Sequence, residues 1–273
     1  MTGRPRTGTR PIRAGIGGWI FPPWRGAFYP VGLPQARELD YASRHVTTIE
    51  INATFYGSQK PESFRRWAAE TPDHFVFSVK APRVATHRRA LAEAAPTIER
   101  FFASGVLELG EKLGPILWQF PPTRRFDAEA FETFLALLPS ERQGTTLRHA
   151  VEVRDASFCD PAFPALLRRF GVAWAFVDSD KHALAGDVTA DFVYARLQRT
   201  EEAEPTGYPA TALDLWADRF RRWAGGEPVT ELALADSLHK PRRRVRDCFV
   251  YFISGAKVRA PAAAMALLER LPA

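Results

Sequence analysis

Thr48-Ile49-Glu50-Ile51-Asn52 alternates polar and apolar side chains, the period of a β-strand whose two faces meet different surroundings. In a parallel strand of a closed sheet, one parity packs under helices and the other faces inward, so polar residues mark the inward face. Glu50 and Asn52 are then inward residues at the carboxyl end of their strand. Working outward, short β-rich runs recur at 12–17, 46–52, 74–80, 116–120, 149–154, 172–178, 192–197 and 249–252. Amphipathic helical stretches separate most of them, at 61–70, 97–110, 127–138, 160–170, 211–224 and 260–271. Eight strands alternating with helices within 273 residues predict an α/β fold, a (β/α)8 TIM barrel. It is expected as a single domain over 12–273, behind a disordered or extended tail over 1–11. The interval between strands six and seven is too short for a full crossover helix, so 181–190 is expected as a reduced link. The interval before strand eight is too long and holds a further strand candidate, 230–235, and a basic run, 239–246, with the inserted stretch covering 232–246. A doubly wound open sheet is the alternative, but it has less need of eight similar units.

Composition narrows the function. Hydrophobic residues at 46% and charged residues at 25% describe a globular chain and exclude a disordered one. Two cysteines, Cys159 and Cys248, supply neither a disulfide framework nor a four-cysteine zinc site, which fits a reducing compartment. No stretch approaches the roughly 18 apolar residues of a membrane span. The basic start, Met1 to Arg13, has no apolar run behind it, so the expected location is the cytoplasm. The net charge of +6 points toward nucleic acid only weakly. Just six of the 37 basic residues are lysine, which reads as a compositional habit rather than a binding surface.

The inward parity carries the chemistry. It offers Glu50 and Asn52 on strand two, Ser78 and Lys80 on strand three, and Gln119 on strand four. Glu152 and Arg154 follow on strand five, Asp178 on strand six and Arg196 on strand seven. All lie at carboxyl ends, the face where barrel enzymes carry their sites. Three acids and three bases could neutralise one another as a structural network. Buried ion pairs add little net stability, however, and a barrel built for stability alone would fill these layers with Val, Ile and Leu. A pocket for a small anionic or polyhydroxyl ligand, such as a sugar phosphate, is therefore expected. Glu50 or Glu152 is the candidate base, with Asp178 in the same catalytic set and Lys80 as acid or electrostatic stabiliser. Neighbouring guanidinium groups disfavour the charged form of Lys80, which suits proton transfer or Schiff-base formation. Arg154 and Arg196 would fork onto phosphate or carboxylate oxygens, with Asn52 and Gln119 as further polar contacts. Trp19 and Tyr56, in the first two strand–helix loops, could stack on a sugar or base, and His87 follows strand three closely enough to overhang the mouth.

Several other chemistries lack their residues. Ile20 stands where a dinucleotide fingerprint starting at Gly15 needs its third glycine, and no phosphate-cradling loop ends in Lys-Ser or Lys-Thr. No His-Glu-x-x-His pair or Gly-x-Ser-x-Gly elbow occurs. Glu50, Glu152 and Asp178 are chemically fit to hold Mg2+ or Mn2+, but three cations compete for them, so no metal and no cofactor are expected. The resulting class is metal-independent acid–base chemistry: isomerisation, lyase action or hydrolysis. The alternative is a nucleic-acid-binding module contacting backbone phosphates through loop arginines such as Arg88-Arg89 and Arg124-Arg125, which follow strands three and four. The run Arg242-Arg243-Arg244-Val245-Arg246 precedes strand eight and is expected as a solvated loop at the opposite face.

The chain also resembles the YecE-like family, domain-of-unknown-function family 72. The matching stretches include Ile16-Gly17-Gly18-Trp19, Trp24-Arg25-Gly26-Ala27-Phe28-Tyr29-Pro30 and Ile49-Glu50-Ile51-Asn52-Ala53-Thr54-Phe55-Tyr56. Others are Phe77-Ser78-Val79-Lys80-Ala81-Pro82-Arg83 with Thr86-His87, Gln119-Phe120-Pro121-Pro122, Val151-Glu152-Val153-Arg154 and the run from Thr189 to Leu197. The resemblance covers nearly the whole chain in order and implies a (β/α)8 barrel, distantly similar to those of endonuclease IV and xylose isomerase. A trinuclear zinc site of the endonuclease kind would need several inward histidines; His149 starts strand five, but no other histidine is clearly inward at a strand end. The family pattern ends strand eight with Tyr-Phe-Asn-Asn-Asp, whereas this chain reads Tyr251-Phe252-Ile253-Ser254-Gly255. Any polar group that strand eight gives the family's site is therefore missing at those positions.

Overall fold

Each of the eight expected runs forms a strand in the computed structural model, which describes residues 10–181, 185–240 and 242–272. They are β1 (Ile12–Gly17), β2 (Thr48–Ile51), β3 (Val76–Lys80) and β4 (Leu113–Gln119). β5 (His149–Glu152) is followed by β6 in two pieces, Ala173–Trp174 and Phe176–Asp178, then β7 (Phe192–Leu197) and β8 (Asp247–Phe252). All neighbouring strands pair in parallel, and β8 returns to β1. The two ends of the hydrogen-bonded order are the two halves of β6: the first pairs with β5 and the second with β7. Because Ala175 joins those halves, with its N–H on the Val151 carbonyl at 2.9 Å, the sheet closes on itself. The fold is a TIM-type barrel.

Helices wrap the outside where periodicity places them, at Pro61–Ala69, Ala95–Ala103, Ala128–Ala136, Ala162–Phe170, Ala210–Gly225 and Ala260–Leu268. Helix 97–110 was expected as one piece, but it breaks at Gly105, whose φ of 96° suits glycine. A Cβ there would stand 2.7 Å from Pro61 Cα, so the close approach to the preceding helix also requires glycine. The further strand candidate at 230–235 is not a strand. Its backbone is taken up by a loop: Gly186 N–H donates to the Ala233 carbonyl at 2.6 Å, and the Asp187 carboxylate accepts from Ala235 N–H at 2.7 Å. A closed barrel offers it no free edge to join. The reduced link between β6 and β7 contains no helix among its described residues, and 182–184 lie outside them. Most of the expected N-terminal tail, 1–9, also lies outside the described residues.

Two cores result. The larger lies between sheet and helices and includes Trp24, Trp118, Trp223 and Phe131. The smaller fills the barrel with Leu117, Ala150, Ala173, Ala175, Phe192, Tyr194, Phe249 and Tyr251. These inner residues confirm the expected parity on strands four, five and seven, since Gln119, Glu152 and Arg196 each lie two residues beyond an inner residue. Among the described residues no helix is long and apolar enough to cross a membrane.

Candidate functional site

The inward side chains at the carboxyl ends of the strands meet at Arg196, which is 2% exposed. Its Nη2 donates to Glu50 Oε1 at 3.1 Å, and its Nη1 donates to Glu152 Oε2 and, at 3.2 Å, to Gln119 Oε1. The remaining carboxylate oxygens are also engaged. Glu50 Oε2 accepts the Tyr194 hydroxyl at 2.6 Å, and Glu152 Oε1 accepts Arg154 Nε at 2.7 Å. Both glutamates are fully buried. Burial alone would raise the Glu152 carboxyl, but Arg196 and Arg154 outweigh it and hold the group below its ordinary range. Burial likewise works against the Arg196 charge, and Glu152 and Glu50 more than offset it, so its pKa is raised. Two acids and two arginines thus form a neutral floor.

Above that floor a cavity of about 540 Å³ opens at the carboxyl end of the barrel. The lining includes Trp19, Asn52, Phe55, Tyr56, Lys80, Gln119, Arg154 and Arg196 from strands one to five and seven and their loops. Ile253, Ser254 and Lys257 come from the segment after β8. Lys80 is 6% exposed and sets its Nζ 3.8 Å from the centre of the Phe55 ring. Among the described residues it forms no ion pair, because Arg196 and Arg154 already hold the carboxylates beneath it. Burial, then the Arg196 charge, lowers its pKa from 10.5 to about 8, against the opposing pull of Glu50 and Glu152. Lys257 is also without an ion-pair partner among the described residues. Its Nζ lies 4.6 Å from the Phe21 ring centre and 5.4 Å from that of Trp24, and burial lowers its pKa.

The structure therefore brings Trp19, Asn52, Tyr56, Lys80, Gln119, Arg154 and Arg196 to one cavity and puts Glu50 and Glu152 directly beneath it. Asp178 is not brought there. It shares parity with Phe176, whose ring stacks on Trp223 of an outer helix at 4.8 Å, so it points away from the barrel axis. Its Oδ2 meets Tyr208 Oη and Trp216 Nε1, each at 3.3 Å, and burial raises its pKa. The three carboxylates considered for Mg2+ consequently do not converge. His87 is exposed and packs edge-on to Phe55 with ring centres 5.9 Å apart, outside the cavity lining.

Phe55 and Lys257 are lining residues that periodicity did not single out. Lys257 stands five residues past β8, on the face that carries the site, in a chain with only six lysines. Those two facts are the signal that could have found it. Ser254 occupies the left-handed region at φ 71°, followed by Gly255 at 61°, a turn fixed by Thr200 Oγ1 donating to the Ser254 carbonyl at 2.9 Å. The segment after β8 thus supplies Ser254 and Lys257 to the lining, although it lacks the asparagines and aspartate of the family pattern.

The basic features expected elsewhere are occupied only in part: Arg242, Arg243 and Arg244 are exposed as expected, and so are Arg89 and Arg125. Arg124 donates to the carbonyls of Arg88 and, at 3.2 Å, of Arg89, which takes its own guanidinium out of use as a phosphate contact. At the other face Arg246 is 7% exposed rather than solvated, and its guanidinium holds the carbonyls of Arg244, Arg242 and Ala190 at 2.7, 3.2 and 3.3 Å.

Comparison with known proteins agrees with the fold. A family model described as "Protein of unknown function DUF72" matches residues 13–273. The UPF0759 protein YecE of Escherichia coli K12 is 31% identical over 148 residues, covering 54% of this chain and 50% of that protein. The UPF0759 protein YunF of Bacillus subtilis is 31% identical over 157 residues, covering 56% and 54%. The chain's matches thus span about half the length of these curated relatives. Among solved structures, a DUF72 family protein of Thermotoga maritima superposes with a TM-score of 0.73 at 23% identity, covering 94% of this chain and 98% of that one. A second, from Enterococcus faecalis, gives 0.66 at 15% identity, covering 97% and 98%.

Proposed function

The chain belongs to the DUF72 family, and from that premise we propose that the cavity at the carboxyl end of its barrel binds a small anionic, sugar-phosphate-like ligand. The observation that carries this reading is the charge left over. Lys80, Lys257, Arg154 and Arg196 bring four positive charges to the cavity, and Glu50 and Glu152 beneath it bring two negative ones. The surplus of two resides on the two ammonium groups that lack partners. Removing a lysine from water without a counter-ion is unfavourable, so a fold that keeps two of them at one cavity gains most when an anion completes the site. Arg154, at the edge of the floor, is placed to share an oxygen of that anion. Trp19 and Tyr56 give the rim flat apolar surface for a sugar ring or carbon backbone, Tyr56 being 71% exposed.

The reading extends to acid–base chemistry at Lys80, whose proton is held loosely enough to be exchanged near neutral pH. Glu50 and Glu152 act through the floor, orienting Arg196. Each of their four oxygens accepts a hydrogen bond within the floor, from Arg196, Arg154 or Tyr194.

Thermal unfolding with added inorganic phosphate tests the proposal. Saturating phosphate should raise the Tm of the wild-type protein, with a stabilisation of about 2.7 kcal/mol at a hundredfold excess over Kd. The response should shrink in Lys80→Met and in Lys257→Met. A Tm indifferent to phosphate, or a response unchanged in both variants, would overturn the reading. So would tight oligonucleotide binding that falls steeply with salt and survives Lys80→Met.

A further inference from the structure

We infer that Lys80 is an imine-forming lysine and that the ligand class is a small aldehyde or ketone carrying a carboxylate or phosphate. The inference rests on the anion-binding reading above and adds a covalent step to it. Its basis is the poverty of the cavity in other reactive groups. Among the described residues no Asp, Glu, His or Cys lines the cavity, so the carboxylate and imidazole groups that most acid–base pairs use are not found there. The nearest carboxylates have every oxygen committed to Arg196, Arg154 or Tyr194. What remains is two primary amines, Lys80 and Lys257, of which Lys80 is the more buried, 6% exposed, over the face of Phe55, with guanidinium groups beside it and no carboxylate paired to it. Desolvation and neighbouring cations are the two devices that leave a lysine uncharged and nucleophilic. A pKa lowered to about 8 is in keeping with both.

The step balances without any further reactant. The free amine of Lys80 attacks the carbonyl carbon, the carbinolamine takes up a proton and loses water, and a protonated imine results. One carbon–nitrogen double bond replaces the carbon–oxygen one. The nitrogen carries one positive charge, as the ammonium did, so the neutral floor beneath is undisturbed. Lys257, on the segment after β8, provides a second cation for the anionic group of the same molecule.

Borohydride trapping tests this. Pyruvate and dihydroxyacetone phosphate serve as carboxylate and phosphate probes, followed by intact-mass measurement and peptide mapping. At least one probe should add a single equivalent, with a mass increase equal to the carbonyl compound less one oxygen. The adduct should lie on Lys80, favoured by about tenfold or more over exposed Lys60 and forming faster as pH rises through the Lys80 pKa. It should be absent in Lys80→Met. Whichever probe is trapped identifies the anionic group. If neither probe labels Lys80 above Lys60 while phosphate still raises the Tm, the imine is wrong and the anion site stands. If phosphate also has no effect, both fail together.

Discussion

The two ends of the barrel are built from the same residue types and treat charge in opposite ways. At the amino-terminal end Arg148 donates to Asp247 at 2.8 Å and lies over the Phe192 and Phe249 rings at 5.8 and 5.2 Å. Arg13 covers the same Phe249 ring from 5.6 Å and also feels the Asp247 charge. Arginine, carboxylate and aromatic faces there close the barrel as a plug. At the carboxyl-terminal end the same ingredients make a floor, with two lysines left above it and a cavity of about 540 Å³. The plug sets two arginines against one carboxylate, with Arg148 paired to Asp247 and Arg13 resting on the Phe249 face. In the proposed reading a counter-ion completes the cavity, and this difference would separate a structural charge cluster from a binding one.

The comparison can be broken most severely at Arg196. Arg196→Met would leave Glu50 and Glu152 buried without their shared cation and should cost about 3–5 kcal/mol, read as a shift in urea midpoint. A cost below about 1 kcal/mol, typical of exposed pairs, would mean that water already reaches the floor.

Titration sharpens the contrast, because each end has its own pH window. On the outer wall near the amino end, His149 accepts from Trp118 Nε1 at 3.0 Å through Nδ1, so its other nitrogen carries the hydrogen and donates to the Pro139 carbonyl at 2.8 Å. Burial lowers its pKa from 6.5 to about 4. Between those values the unfolded chain binds the extra proton, so about 3 kcal/mol of stability should be lost as pH falls from 6.5 toward 4. Replacing His149 by Gln should flatten that acid slope. Lys80 is also depressed, but its window is alkaline. The unfolded lysine holds its proton up to 10.5 and the folded one only to about 8, so wild-type stability should rise between those values. Lys80→Met, which has no buried charge to desolvate, should be more stable than wild type at pH 7, by up to about 3 kcal/mol, with the advantage vanishing above the window. A large loss of stability in this variant would assign Lys80 to a structural network. The smallest effect belongs to the plug. Asp247→Asn breaks a pair that is partly open to solvent and should cost about 1 kcal/mol, with no change in the response to phosphate.

The barrel was legible because period-two alternation is a backbone property that short runs such as 48–52 display directly. The floor was legible for the same reason: inward parity put Glu50, Gln119, Glu152 and Arg196 at one level. Asp178 was misplaced because a polar residue in a buried strand was assumed to face the axis. An outer helix that offers Tyr208 and Trp216 as donors satisfies a carboxylate equally well. Phe176, of the same parity and plainly a packing residue, carried the contrary signal. The pairing within the floor was not legible, since three acids and three bases can neutralise one another in many ways and sequence does not say which are left out. Lys257 escaped because it lies in a loop, where periodicity says nothing about direction.

The central claim is that Lys80 sits at the cavity as a cation without a partner until an anion arrives, and carbon-13 NMR titration of the lysine Cε resonances tests it most directly. The account predicts that Lys80, assigned by its loss in Lys80→Met, titrates near 8, well below the ordinary lysine value of 10.5, and that saturating inorganic phosphate moves it upward by stabilising the ammonium. A Lys80 resonance that titrates near 10.5 and ignores phosphate would contradict it.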